Sequence, residues 1–429
     1  MMKLPVFALI LVSLATRLPA QNIDNIINAK TVEATERTLS SDDMRGRAVF
    51  TPDIEKAADY IESRFKAAGL KTWNGSNSYR QPFTMIQAKL LSATASLDGQ
   101  TLPEGHVYAM SSAGDLTIDE NSGYEKVQLK AGQNFQMELL HYIHAKKNYL
   151  VLIDTSFSAN FPRLARAGRQ QFKSPTSVVF VLTSSEPSHF LIKVQQEIKE
   201  SALANVVGIL PGKSKTNEIV IFSGHYDHLG VTKSPVKGDS IYNGANDDAS
   251  GTTAVIELAD YFAKQKNNQR TIVFAAFTAE EVGEFGSQYF SGQFDPATVV
   301  AMFNIEMIGS ESKWGGNSAF ITGYERTDMG KILQKNLTGS SFTFYPDPYP
   351  DQQLFYRSDN ASLARVGVPA HTISTTQIDK DKYYHQLTDE IGTIDIANMV
   401  RIIKAIALSS TSIVDGKDTP SRVDTTQVR

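Results

Sequence analysis

The segment Glu218-Ile219-Val220-Ile221-Phe222-Ser223-Gly224 leads directly into His225-Tyr226-Asp227-His228. Four successive β-branched or aromatic residues, without the alternation of a half-exposed strand, describe a strand covered on both faces. Comparable apolar runs recur at Thr271 to Phe277, Val299 to Ile308, Ala319 to Thr322 and Ala370 to Ser374, and a helical pattern from Ser250 to about Lys264 separates the opening strand from the first of them. Buried strands alternating with helices indicate an α/β fold, a three-layer αβα sandwich around a mixed, mainly parallel sheet.

Outward from this core the pattern changes. From Asn22 to Leu70 the chain is helical in character. Asp53 is a cap candidate for a stretch with Ala57, Ala58, Ile61, Phe65 and Ala68 on one face, stopped by Gly69. Residues 90–189 carry short β-rich runs (Thr94 to Leu97, Tyr149 to Ile153, Ser177 to Thr183) among polar turns and read as a smaller β-rich inserted domain. The main α/β domain is then 21–89 and 190–414, and the polar tail 415–429 reads as disordered. Residues 1–20 have the form of a signal peptide: Lys3, an apolar run from Leu4 to Ala15, and Leu18-Pro19-Ala20 before a cut at Gln21. The run is shorter than the roughly 18 residues of a bilayer span, so an exported, periplasmic or extracellular protein without a stable membrane anchor is expected.

The 429 residues contain no cysteine, 42 Lys+Arg against 46 Asp+Glu, and eight histidines. Disulfide bracing, thiolate nucleophiles and Cys-ligated metal sites are therefore excluded. A net charge of −4 gives no basis for a nucleic-acid partner. His, Asp and Glu remain as the main metal ligands.

Five short motifs concentrate those residues. His225 and Asp227, two apart on an extended backbone, share a side, which suits a ligand and the carboxylate that orients it. Alone, the pair also suits a histidine satisfied in a turn, as does His228. In Gly244-Ala245-Asn246-Asp247-Asp248-Ala249-Ser250-Gly251, two acids among small residues exceed what a helix cap requires. Asp247 is favoured over Asp248 as a carboxylate bridging two cations. Glu280 and Glu281 follow the Thr271 to Phe277 strand; adjacent carboxylates repel unless a cation or shared proton compensates, and their side chains diverge. Glu306 sits in an apolar run and needs a partner. His385 lies in Tyr383-Tyr384-His385-Gln386-Leu387-Thr388-Asp389, whereas His371 reads as core or loop. His225, Asp247, Glu281, Glu306 and His385, with Glu280 as a free carboxylate, make a two-metal hydrolytic set. Its ligand types suit zinc and also admit manganese or cobalt.

The motifs SGHYDHLG, IYNGANDDASGT, FTAEEVGEFGS, NIEMIG, RSDNASLARVGVPA and YYHQLTDE, in this order over Ala204 to Thr393, resemble the co-catalytic zinc metallopeptidases. That family includes bacterial leucyl aminopeptidases, aminopeptidase Y, plasma carboxypeptidase Q and glutamate carboxypeptidase II. The resemblance implies two zinc ions. His225 and Glu306 would be terminal ligands of one, Glu281 and His385 those of the other, and Asp247 the bridge. It also implies that Asp227 orients His225, that Glu280 is the general base, that Tyr384 helps polarise the scissile carbonyl, and that the Asp247–Asp248 peptide is cis. Glu306 departs from the Asp that many relatives carry there, which leaves its coordination less defined than the rest.

A secreted aminopeptidase acting on peptides is the first functional reading. A carboxypeptidase or dipeptidase is the runner-up: an acidic group near Tyr345 to Asp351 would favour a free α-amine, Arg357 a free carboxylate, and sequence does not decide. A glutaminyl cyclase or a non-catalytic binding protein fits the complete ligand set less well. Preferred residue and oligomeric state are not encoded in any motif.

Overall fold

A computed structural model describes residues 22–164 and 169–428; the expected signal peptide lies outside the described residues. The strand that opened the sequence reading spans Lys215–His225 and lies at the centre of a twelve-stranded sheet. It pairs in parallel with Arg270–Phe277 on one side and Val299–Ile305 on the other. Ala370–Ser374 extends the parallel region beyond Val299–Ile305. Antiparallel pairing takes over at both flanks, where Ser318–Ile321 meets Ala370–Ser374 and Phe190–Leu210 meets Arg270–Phe277.

Successive residues of the central strand feed two separate cores. Val220 and Phe222 pack beneath the helices Asp53–Ala68, Ser250–Gln265 and Ile396–Ser409, while Ile221 faces the layer containing Phe290 and Leu363. This division is why the strand is apolar at every position from Ile219 to Phe222. Helix Asp53–Ala68 buries Ile54, Ala57, Ala58, Ile61 and Phe65 and ends at Gly69, whose φ of 77° suits glycine. Its N-cap is Pro52, so Asp53 belongs to the first turn and is not the cap.

The segment between the sheet's two long strands forms a second, four-stranded sheet ordered Val107–Met110, Val178–Leu182, Tyr149–Ile153, Glu125–Leu129. The strands Arg80–Leu97 and Phe190–Leu210 pair antiparallel throughout, with one register shift between Gln195 and Gln196. Residue 90 therefore falls inside a continuous strand. The outer half of the second strand alternates, with Ile192 and Val194 buried and Leu191, Lys193 and Gln195 exposed, as expected where only one face is covered.

The tail is the clearest correction. Residues 415–428, expected to be disordered, are packed against the domain. The buried Arg270 guanidinium donates to the carbonyls of Ile413 and Asp418 and to Thr419 Oγ1; Arg422 donates to the carbonyl of Val299, and Val423 is 4 % exposed. Low local hydrophobicity hid this because the anchoring partners belong to distant strands.

Candidate metal centre

The site forms where the parallel strands end. His225 is the last residue of its strand, Glu280 and Glu281 follow Phe277 after a two-residue turn, and Glu306 lies one residue beyond Ile305. Parallel register places these carboxyl ends side by side, the usual location for function in open α/β sheets. The Asp247–Asp248 peptide, which is cis, comes from the loop before helix Ser250–Gln265. Close approach demands glycine there: a Cβ on Gly251 would lie 2.0 Å from the Ile305 carbonyl oxygen, and one on Gly244 would lie 2.5 Å from the His228 ring.

Asp247 stands between two groups of donors. Ligand atoms of His225, Asp247 and Glu306 lie within 4.8 Å of one another, as do those of His228, Asp247 and Glu281. His385 Nε2 is 3.2 Å from Asp247 Oδ2 and 3.2 Å from Glu281 Oε2. All five ligand candidates thus converge, with Asp247 common to both sides. Asp248 is otherwise engaged: its carboxylate accepts the backbone N–H groups of His225, Gly251 and Met307 at 3.0–3.1 Å. That is the physical basis for preferring Asp247 as the shared ligand.

The donors fit a cation. His225 Nε2 lies 3.3 Å from Asp247 Oδ1, but it has no well-directed hydrogen bond, and Glu306 Oε2 is also buried without one. Such groups are costly unless a ligand completes them. Burial, reinforced by neighbouring carboxylates and opposed by His225, holds Glu280 well above the usual carboxylate range; Glu306 is pushed up to about 7, mainly by burial. Asp247 is lowered despite its burial, because the His225 and His385 imidazoles lie against it, and the nearness of Asp247 and Glu281 raises His385 to about 10. The buried acids exceed what the imidazoles neutralise.

Asp227 is placed differently from its expected role. His225 Nδ1 donates to the backbone carbonyl of Asp227 at 3.1 Å, while the nearest carboxylate oxygen is 3.7 Å away. The Asp227 carboxylate instead accepts the N–H of Glu280 (3.2 Å) through Oδ1 and that of Glu281 (3.3 Å) through Oδ2. It positions the acidic pair. Tyr384 stacks on the His385 ring at 3.9 Å and shares a pocket wall with Glu306.

Three residues outside the expected set complete the scaffold. His228, read as an ordinary turn histidine, donates from Nδ1 to Glu281 Oε1 at 2.7 Å. Asp389 accepts the N–H groups of Asn246 and Asp247 at 2.9 and 3.1 Å, linking the His385 loop to the Asp247 loop. Arg47, wholly buried, donates to the carbonyls of Leu39, Tyr226, Asn243 and Gly244. Asp389 lies in YYHQLTDE and His228 in SGHYDHLG, where the residue types are visible but their partners are not; Arg47 has no local signal. His371 is core, held between the Thr322 carbonyl and Thr327 Oγ1 at 2.8 Å each.

A mixed sheet between helical layers, with carboxylates and imidazoles converging on one shared aspartate, defines a metallohydrolase of the zinc-peptidase class. Residues 205–409 match the model of Peptidase family M28. Leucine aminopeptidase 1 of Ajellomyces capsulatus is 24% identical over 319 residues, covering 68% of this chain and 79% of that protein. A probable zinc metalloprotease of Pyrenophora teres f. teres is 36% identical over 118 residues, covering 27% of this chain and 25% of its own length. Among solved structures, an aminopeptidase from Aneurinibacillus sp. strain AM-1 superposes with TM-score 0.54 at 19% identity, covering 95% of this chain and 97% of that one. A zinc aminopeptidase from Bacillus subtilis gives TM-score 0.54 at 16% identity, covering 92% and 97%. Residues 205–409 are thus similar to Peptidase family M28, and these matches identify the chain as a zinc metallopeptidase.

Proposed function

We propose that this chain is an exported aminopeptidase that uses two zinc ions held about Asp247. The observation carrying the reading is the division of donors: His225 and Glu306 on one side of Asp247, Glu281 and His385 on the other, with Glu280 outside both groups. Zinc bound there supplies Lewis-acid polarisation of a peptide carbonyl and lowers the pKa of water. Glu280 is the proton carrier: it is nearly buried, its carboxylate approaches His225 without belonging to either donor group, and Asp227 fixes its backbone. Tyr384, which lines the pocket with Glu306, would donate to the carbonyl oxygen as negative charge grows there.

Release of N-terminal residues is supported by the aminopeptidase names among the relatives. Export is supported by the signal-like residues 1–20.

The test compares an unblocked peptide, its N-acetylated form and its C-terminal amide, with zinc counted per chain. Loss of cleavage on acetylation, with two zinc ions bound, is the expected result. Loss only on amidation would replace the aminopeptidase reading with a carboxypeptidase one. N-terminal sequencing of the protein made with its own leader checks export, with Gln21 as the expected first residue.

A further inference from the structure

A pocket opens beside the donor set, with Glu306 and Tyr384 on its metal side. Phe320, Leu354 and Ile378 supply apolar wall. The hydroxyls around it are committed elsewhere. Thr372 Oγ1 donates to Asn360 Oδ1 at 2.7 Å, Ser374 Oγ to the Met307 carbonyl at 3.2 Å, and Thr376 Oγ1 to Asp381 Oδ2 at 3.0 Å. Thr322 Oγ1 accepts the N–H of Thr372 at 3.1 Å.

Arg357 is the cationic side chain lining this pocket. Its Nη1 donates to Gln352 Oε1 at 3.2 Å, and among the described residues no carboxylate lies within ion-pair distance of it. This contrasts with Arg64, Arg80 and Arg270, whose guanidinium groups are matched by acids. Arg357 is exposed and lines the same pocket as Tyr384. A planar guanidinium with unused donors, at a pocket whose threonine and serine hydroxyls are already hydrogen-bonded within the protein, matches a carboxylate better than any neutral group.

We propose that Arg357 is a specificity-determining residue that binds a carboxylate of the peptide held at the metal site. The inference rests on the aminopeptidase reading and deepens it by naming the favoured substrate class. The carboxylate has two sources: an acidic side chain on the N-terminal residue, or the free C-terminus of a dipeptide.

The experiment measures kcat/KM of the zinc-loaded enzyme and of R357Q and R357K on five substrates. These are leucine p-nitroanilide, glutamate p-nitroanilide, Leu-Leu, Leu-Leu-amide and Glu-Leu-amide. R357Q is expected to lower the ratio of carboxylate-bearing to neutral substrate by about 10- to 100-fold, mostly through KM, the range for losing a charge-assisted hydrogen bond. R357K should fall between, because it keeps the charge and loses the fork. A fall for the glutamyl substrates identifies the side chain as source; a fall for Leu-Leu but not its amide identifies the C-terminus. Calorimetric binding of free glutamate and leucine supplies a readout independent of turnover, with R357Q weakening glutamate selectively. Equal ratios in wild type and R357Q on every pair would overturn the proposal while leaving the aminopeptidase reading intact. Zinc-loaded wild type inactive on all five would sink that reading, and the proposal with it.

Discussion

Replacing Asp227 with asparagine keeps the shape of a fully buried side chain and exchanges one carboxylate oxygen for an NH₂ group. In the native site both oxygens accept backbone N–H groups, from Glu280 at 3.2 Å and Glu281 at 3.3 Å. Bonds to a charged acceptor contribute about 1.5–3 kcal/mol each, and these two are long enough to warrant the lower end, about 1.5 kcal/mol. Asparagine saves one of them and leaves one buried N–H facing another donor, which adds about 1–3 kcal/mol. Asp227→Asn should therefore lose about 3 kcal/mol of stability, or about 6 °C in Tm at the roughly 2 °C per kcal/mol typical of larger domains. The catalytic effect is separate. If the Glu280 backbone moves by about 1 Å, its carboxylate leaves the reactive position and kcat falls about 100-fold. His225 keeps its bond, because Nδ1 donates to the main-chain carbonyl of Asp227, which the substitution leaves in place. Thermal unfolding, zinc affinity by chelator competition and kcat at saturating zinc measure the three consequences. A variant within about 1 kcal/mol and 3-fold of wild type would refute the assigned hydrogen bonding. Weakened zinc affinity with unchanged kcat per loaded enzyme would mean that the carboxylate acts on His225 after all.

Glu280→Gln should retain metal and lose turnover by about 10²- to 10⁴-fold, the usual worth of a general base, whereas Asp247→Ala should lose metal as well; metal analysis and rate assays on the same preparations separate the two. A near-wild-type rate for metal-loaded Glu280→Gln would remove Glu280 from the mechanism. His371 gives a pH dependence. Burial lowers it from 6.5 to about 4, so between those values the unfolded chain binds the extra proton. Stability is complete above pH 6.5 and falls by up to about 3 kcal/mol as pH drops to about 4. Urea unfolding of His371→Asn should show a shallower acid slope than wild type; identical slopes would show that the imidazole does not titrate this way.

Much of the site was legible because its chemistry is carried by short motifs. His225, Glu281 and Glu306 could be placed at strand ends because an uninterrupted apolar run stops beside each of them. Asp247 could be singled out because its glycine-rich surroundings announce close backbone approach, which Gly251 bears out against the Ile305 carbonyl. The long paired strands Arg80–Leu97 and Phe190–Leu210 were less legible, since alternating and continuous patterning meet within one strand where its covering changes. The ordered tail was missed for a related reason: Arg270, 143 and 148 positions from the carbonyls it binds, makes a polar segment part of the fold.

By itself the sequence determined the kinds of element, their order and the ligand types available, because periodicity and side-chain chemistry are local properties. Tertiary structure alone decided the division of labour among identical groups. Asp248 is consumed by three backbone donors and Asp247 is not. Asp227 holds the acidic pair more than the imidazole two residues before it. His228 joins Glu281 from 53 positions away, and Arg47 reaches Asn243 and Gly244 across nearly 200. A carboxylate or imidazole is assigned its role by whichever donors and acceptors surround it, and those arrive only when distant strands and loops pack together.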